Sequence, residues 1–291
     1  MTHEIISHPT LDAGLRIHRR SGPLIRNIVF ALIAVAVVCV AAWIVLGSGQ
    51  IRWNVVADYL FSDVVLKGVR TTLVLTVVSF VGSLVLGTLL AAMRISRNPV
   101  LEAIASVYIW FFRGTPLLVQ IVFWFNLGLF LPKIEIAGHA IATNSLINPT
   151  TAALLGLFLN VSAFMCEIIR GGLISVDPGQ TEAALSIGMT PGHALMKIVL
   201  PQAVRVIIPT AGNLAIDLLK STSLVYVIGT REILGTTQSI AAQTFYVIEM
   251  LMVASIWYLI LVSIASLGQA WLEKRLARSA STKRRTVTTE K

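Results

Sequence analysis

Six runs of apolar residues, most of them close to the length of a bilayer core, leave this chain few ways to fold. They cover about residues 28–47, 66–93, 115–131, 150–173, 203–220 and 245–268. A helix crosses the hydrocarbon core with about 20 residues. Inside lipid the backbone must satisfy its own N–H and C=O groups, which a helix does within each segment. An all-α membrane protein of about six transmembrane helices is expected on that ground. The composition fits, because 56% of the 291 residues are hydrophobic and 13% charged, whereas soluble domains carry about 25% charged residues. A water-soluble core cannot bury this much apolar surface.

The first run follows a polar tail, residues 1–27, that carries Arg16, Arg19, Arg20 and Arg26. A secretory signal shares that order. Here the basic region is long, the run is span-length and no small-x-small cleavage site closes it, so 28–47 reads as an uncleaved extra helix. Residues 48–65 hold Trp53, Tyr59 and Phe61 and suit a membrane interface. A basic tail occupies 276–291 and reads as disordered beyond about residue 279. Cys39 and Cys166 fall within apolar runs and read as small buried hydrophobes. The histidines, His3, His8, His18, His139 and His193, are too scattered to make a metal site.

A net charge of +9 invites a nucleic-acid partner, and its distribution argues against one. Lys and Arg sit between the apolar runs and in the tails, not along one face of a domain. With six crossings both termini share one side of the membrane. Arg52, Lys67, Arg70, Lys133, Lys220 and Arg231 fall on the other side, and the remaining 17 of the 23 on the side of the termini. The positive-inside rule puts that side, with both termini, in the cytoplasm. The excess there also attracts anionic membrane lipid.

Residues 174–202 lie on the cytoplasmic side and specify their own ends. Asp177 suits an N-cap, Pro178 the first helical position, and Gln180 completes an Asp-x-x-Gln capping box. Gly188 is a natural stop, where a left-handed residue reverses the chain. Thr190 and Pro191 begin a second helix in the same manner, running through Ile198 and Leu200 to Pro201. Two short helices are expected, the first with a small-residue face at Glu182-Ala183-Ala184. Capped helices are common in loops, so the pattern alone fits a docking element or a connecting loop.

Glu182-Ala183-Ala184, Gly188, Ile198 and Leu200-Pro201 resemble the EAA signature of binding-protein-dependent ABC importer permeases: E-A-A, then G, then I-x-L-P. The run Phe112-Arg113-Gly114-Thr115-Pro116-Leu117-Leu118-Val119-Gln120 resembles the F-R-G-T-P-L-L-V-Q of the polar amino acid permeases of the histidine/glutamine type. Glu167, Arg170-Gly171-Gly172, Gln202-Ala203, Arg205, Pro209, Asn213 and the stretch from Lys220 to Leu224 fit the same subfamily. The likeness covers about residues 60–275, the span of an ABC permease transmembrane domain, and leaves the first helix and both tails outside.

That resemblance implies a type I ABC importer permease architecture in the cytoplasmic (inner) membrane of a prokaryote. A second permease subunit, identical or a paralogue, would complete the path for an amino acid. ABC ATPase subunits would dock on cytoplasmic coupling helices within 177–201, and an extracytoplasmic solute-binding protein would deliver the solute. This chain has no G-x-x-x-x-G-K-[ST] loop, the cradle that ATP hydrolysis needs. ATP would therefore be bound by the partner ATPase, leaving this chain a transport subunit without a cofactor and not an enzyme. The nearer rival is an ABC permease for a different small polar solute. The farther one is an ion-driven secondary transporter, which often shows inverted repeats with broken helices; the sequence displays neither.

Polar residues inside spans are costly and face a cavity or a neighbouring helix. In the fifth run Thr210, Asn213, Asp217 and Lys220 recur at spacings of 3, 4 and 3, which is one helix face. Pro209 and Gly212 allow a kink beside them. In the fourth run Asn160, Glu167 and Arg170 follow at 7 and 3. A zwitterion needs an acceptor for its ammonium, which Asp217 or Glu167 supplies, and donors for its carboxylate, which Asn213 supplies. The competing reading pairs Glu167 with Arg170 and Asp217 with Lys220 within one turn. Gln120 and Asn126 either line the path or bond between helices. The substrate path is thus expected among Glu167, Asn213, Asp217, Gln120 and Asn160. The chain departs from the subfamily at Phe164, Cys166 and Asp217.

Overall fold

The structure, a computed structural model, describes residues 24–47, 49, 51–96, 98–136 and 139–287. The tail to residue 23, with Arg16, Arg19, Arg20 and its three histidines, lies outside the described residues, as do Arg97 and Lys291. The chain divides into two units, residues 1–51 and 52–291. The first holds α1 (Leu24–Gly47), which carries the first apolar run. Its described side chains are exposed, Cys39 among them. The burial expected of Cys39 is therefore not found, since every described side chain of this helix is exposed.

The second unit runs α2 (Trp53–Leu60), α3 (Asp63–Ile95), α4 (Pro99–Gly114), α5 (Leu117–Phe125), α6 (Leu127–Phe130), β1 (Lys133–Ile136), β2 (His139–Ala142), α7 (Thr143–Leu146) and α8 (Pro149–Ile174). It continues with α9 (Pro178–Ser186), α10 (Pro191–Ala194), α11 (Leu200–Ser221), α12 (Ile233–Thr244) and α13 (Val247–Val287). A π turn, Leu195–Val199, joins α10 to α11, and a 3-10 turn, Thr222–Ile228, follows α11. Among the described residues four stretches are long and apolar enough to cross a membrane: Asp63–Ile95, Pro149–Ile174, Pro191–Ile228 and Val247–Leu276. The pair α4 and α5 makes a fifth if counted as one span.

Several expectations are corrected. The third run is not one helix: α5 stops at Asn126, whose side chain bonds back to the Val122 carbonyl at 2.8 Å, and the short α6 follows. At Thr115-Pro116, where that run begins, α5 meets the preceding α4 at 101°, so the two can be counted as one broken span. Thr115-Pro116 reads in the sequence as an N-cap with proline at the first helical position, but the Thr115 hydroxyl donates to the Phe111 carbonyl at 2.8 Å and Pro116 itself takes the capping position. The polar loop after the third run holds a short antiparallel hairpin, Lys133 opposite Ala142 and Ile136 opposite His139. Polar and apolar residues alternate along β1, the period of a strand. At the C-terminus the helix continues to Val287, past the point where disorder is expected.

α8 is the centre of the unit, packed against α3, α4, α5 and α11. Asn148 starts it by accepting from Thr151 N–H at 3.0 Å, with Pro149 in the first position. Gly87 lets α3 approach, since a Cβ there would lie 2.7 Å from Met165 Cβ and 3.1 Å from the Cys166 amide nitrogen. Small residues are how helices come close in lipid, where no hydrophobic force drives them together. One buried cluster gathers Leu90, Ala105, Met165, Cys166, Ile169 and Ile207. A second gathers Leu75, Ile121, Leu157, Val161, Leu218 and Val225. The opposite faces of α3, α4 and α13 expose Val77, Val85, Trp110 and Leu259, as a lipid-facing surface does.

Glu232, which the sequence reading passes over, is fully buried where three helices meet. Its carboxylate caps α12 by accepting from Gly235 N–H at 2.7 Å. It also accepts from the Thr72 hydroxyl of α3 at 3.3 Å and from the Tyr258 hydroxyl of α13.

Candidate functional site: a charged cavity and a helical elbow

The break between α4 and α5 frees carbonyls that a continuous helix would satisfy, and two buried amides answer them. The Gln120 side chain donates to Phe112 O at 3.0 Å, Thr115 O at 3.1 Å and Thr115 Oγ1 at 2.6 Å. The Asn160 side chain, from α8, donates to Phe112 O at 2.8 Å and Gln120 Oε1 at 3.3 Å. Gln120 and Asn160 therefore bond between helices and fix the corner.

The corner opens onto a cavity of about 360 Å³. Arg113, Thr115 and Leu117 line it from the corner, Asn160, Val161 and Phe164 from α8, and Leu214, Asp217, Leu218 and Ser221 from α11. It sits along α8 where the second cluster, ending at Val161, gives way to the first, beginning at Met165. Of the expected path residues, Asn160 and Asp217 share this wall. Gln120 is behind it, 4% exposed. Asn213 is exposed on α11 but not among the lining residues.

Both ion pairs suggested by spacing are present. Arg170 grips Glu167 with two bonds, Nε to Oε1 at 3.1 Å and Nη2 to Oε2 at 2.8 Å. Arg113 reaches the same carboxylate only at 3.9 Å and lies 5.2 Å over the Phe164 ring. Lys220 Nζ is 2.7 Å from Asp217 Oδ1, and both side chains are more than half exposed. Thr210, Asn213, Asp217 and Lys220 form an exposed polar stripe along α11. Beside it Gly212 makes room for Gln269 of α13, whose amide donates to Pro209 O at 2.8 Å.

The second feature is the elbow at 177–201. Asp177 Oδ1 accepts from Gly179 N–H at 2.8 Å, while the Gln180 side chain makes no return bond, so the capping box is half formed. Gly188 adopts φ +85°. Gly188 N–H bonds Leu185 O at 3.0 Å and Met189 N–H bonds Ala184 O at 3.1 Å, the Schellman pattern that closes a helix. Thr190 accepts from His193 N–H at 3.4 Å and Pro191 follows.

The second helix does not end at Pro201. It runs on into α11 as one stretch, Pro191–Ile228. Pro201 lacks an N–H, and its ring would clash with a carbonyl four residues back. The π turn before it widens the helix, with Leu200 N–H bonding Leu195 O, and absorbs that clash. Ile198, Leu200 and Pro201 thus form the root of a span. Ala184 is buried, 4% exposed, whereas Glu182, Ala183 and Gly188 face outward with Ile187, 80% exposed. The small-residue face is therefore split: Ala184 seats the elbow on its own chain, and the outer surface is Ala183, Ile187 and Gly188.

Comparisons with known proteins agree with this geometry. Residues 83–278 match the family described as binding-protein-dependent transport system inner membrane component. The chain is 39% identical over 253 residues to the arginine transport system permease protein ArgU of Corynebacterium glutamicum, covering 85% of this chain and 80% of that one. It is 38% identical to the probable amino-acid ABC transporter permease protein PatM of Vibrio harveyi, covering 74% and 93%. A crystal structure of an amino acid ABC transporter with histidines superposes with a TM-score of 0.66 at 32% identity, covering 74% of this chain and 95% of that chain. The chain belongs to the family of inner membrane components of binding-protein-dependent transport systems.

Proposed function

We propose that this chain is the transmembrane permease subunit of an ATP-driven amino acid importer, with the cavity beside the α4–α5 corner on the solute's path. The observation that carries the reading is the continuity of the Pro191–Ile228 helix, whose root is the elbow and whose middle supplies Asp217 to the cavity wall. A push on the elbow is thereby a push on the cavity. The arginine, amino acid and histidine named for the relatives above support an amino acid as cargo. The elbow is the ATPase seat, with Glu182, Ala183, Gly188 and Ile187 outward and Ala184 behind them. ATP is bound and hydrolysed by the partner, and an extracytoplasmic binding protein loads the opposite side. A second permease subunit closes the path onto which the stripe Thr210, Asn213, Asp217 and Lys220 faces, a stripe that lipid would not tolerate exposed.

This reading puts both termini and the elbow in the cytoplasm, as the charge distribution favours. Single cysteines, in a chain carrying Cys39→Ala and Cys166→Ala, test it. Glu135→Cys and Ala140→Cys are expected to react with an impermeant thiol reagent from outside, and Leu185→Cys only after the membrane is opened. Labelling of Leu185→Cys from outside would remove the elbow from the ATPase.

A further inference from the structure

We propose that Arg113 receives the solute's carboxylate, so that the cavity binds both ends of a zwitterion: the Arg113 guanidinium on the corner wall and the Asp217 carboxylate on the α11 wall. The proposal rests on the cavity being the amino acid path.

Arg113 is a cation without a full partner. The carboxylate nearest to it, Glu167, is already held by both arms of Arg170. Arg113 keeps only the 3.9 Å approach to Glu167 and the Phe164 ring face. Arg113, Arg170 and Glu167 together carry one excess positive charge beside a cavity of mixed polar and apolar lining. Arg113, partly exposed there, is free to take up an anion. Its planar fork of N–H donors matches a carboxylate with two parallel bonds, which a lysine cannot do. The Phe164 ring, 5.2 Å from the guanidinium carbon, adds a cation–π contact that restrains the side chain before binding.

The α11 part of the lining supplies the complement. Asp217 Oδ1 meets Lys220, yet a carboxylate offers about four acceptor sites, which leaves room for a cationic group of the solute. Asn160 and Ser221 place further polar atoms on the wall. The volume of about 360 Å³ falls within the roughly 300–1,000 Å³ of small-ligand sites. A cation and an anion lining one small space select a solute carrying both charges, and reject one that has lost its anion.

The test uses the purified permease–ATPase complex without the binding protein, so that only the permease selects. Equilibrium binding of the standard L-amino acids as radiolabelled probes identifies the best binder. Its carboxamide, which keeps the ammonium and side chain but not the negative charge, is then used as competitor. The wild-type complex is expected to prefer the acid by about tenfold or more. Arg113→Gln should weaken the acid about tenfold and bring acid and amide within about twofold of each other. Arg113→Lys should keep part of the preference. Asp217→Asn should weaken both together and leave their ratio unchanged. An Arg113→Gln complex that retains the wild-type preference, or loses acid and amide equally, overturns the proposal while leaving the cavity as the path. A wild-type complex that binds no amino acid overturns the path reading itself, and the proposal with it.

Discussion

Gly188→Val is expected to leave the permease in the membrane and break its coupling to the ATPase. Gly188 sits at φ +85° with no atom within 4 Å of a Cβ built on it. A valine there therefore meets no clash, and its cost is wholly in the backbone. A left-handed residue with a Cβ costs about 1–2 kcal/mol, and a β-branched one is a genuine outlier there. That is a factor of roughly 5–30 in the population of the closed elbow. The two bonds from Gly188 and Met189 to the last turn of α9 go with it. Asn, which tolerates this conformation, should retain most coupling as Gly188→Asn. Ala184→Trp should reach the same end by another route, because Ala184 is 4% exposed on α9, the helix that packs against the elbow's second helix. Co-purification of the ATPase and solute-stimulated ATP hydrolysis report the loss. Normal ATPase binding and normal uptake in Gly188→Val and Ala184→Trp alike would leave 177–201 a connecting loop.

Glu232→Ala is expected to destabilise the subunit by about 2–4 kcal/mol. The change deletes the cap of α12, worth about 1 kcal/mol. It also strands the hydroxyls of Thr72 and Tyr258, and interhelical bonds in membranes are worth about 0.6–2 kcal/mol each. Because Glu232 is completely buried, water cannot replace it. Glu232→Gln keeps one acceptor oxygen and should recover part of the loss. The midpoint of thermal unfolding in detergent measures the effect, with the exposed Glu182→Ala as the control that leaves stability unchanged. A Glu232→Ala protein as stable as wild type would show that these three bonds hold nothing together.

The elbow was legible because its ends are local chemistry. Asp177, Pro178, Gly188, Thr190 and Pro191 each act within a few residues, and each sits where its preference places it. The pairs Glu167–Arg170 and Asp217–Lys220 were legible for the same reason, as neighbours one turn apart. What was hidden depends on residues distant in sequence. Gln120 and Asn160 stabilise the broken span across 40 positions, so the break carries no local mark beyond Thr115-Pro116. Pro201 reads as a stop because nothing in the sequence announces the π turn that accommodates it. Glu232 is a poor N-cap by preference, and only its burial against α3 and α13 reveals it. Asp217 and Arg113 lie 104 positions apart, and their common cavity exists only once α8 has packed between α4 and α11.

The most direct measurement of the central claim is uptake by vesicles containing this subunit, its ATPase and its binding protein, with ion gradients collapsed by ionophores. The standard amino acids, radiolabelled and offered one by one, are the solutes. Accumulation is predicted when ATP is present on the elbow side, and none when ATP is withheld or the ATPase is omitted. Uptake that persists without ATP and follows an imposed ion gradient would contradict the account.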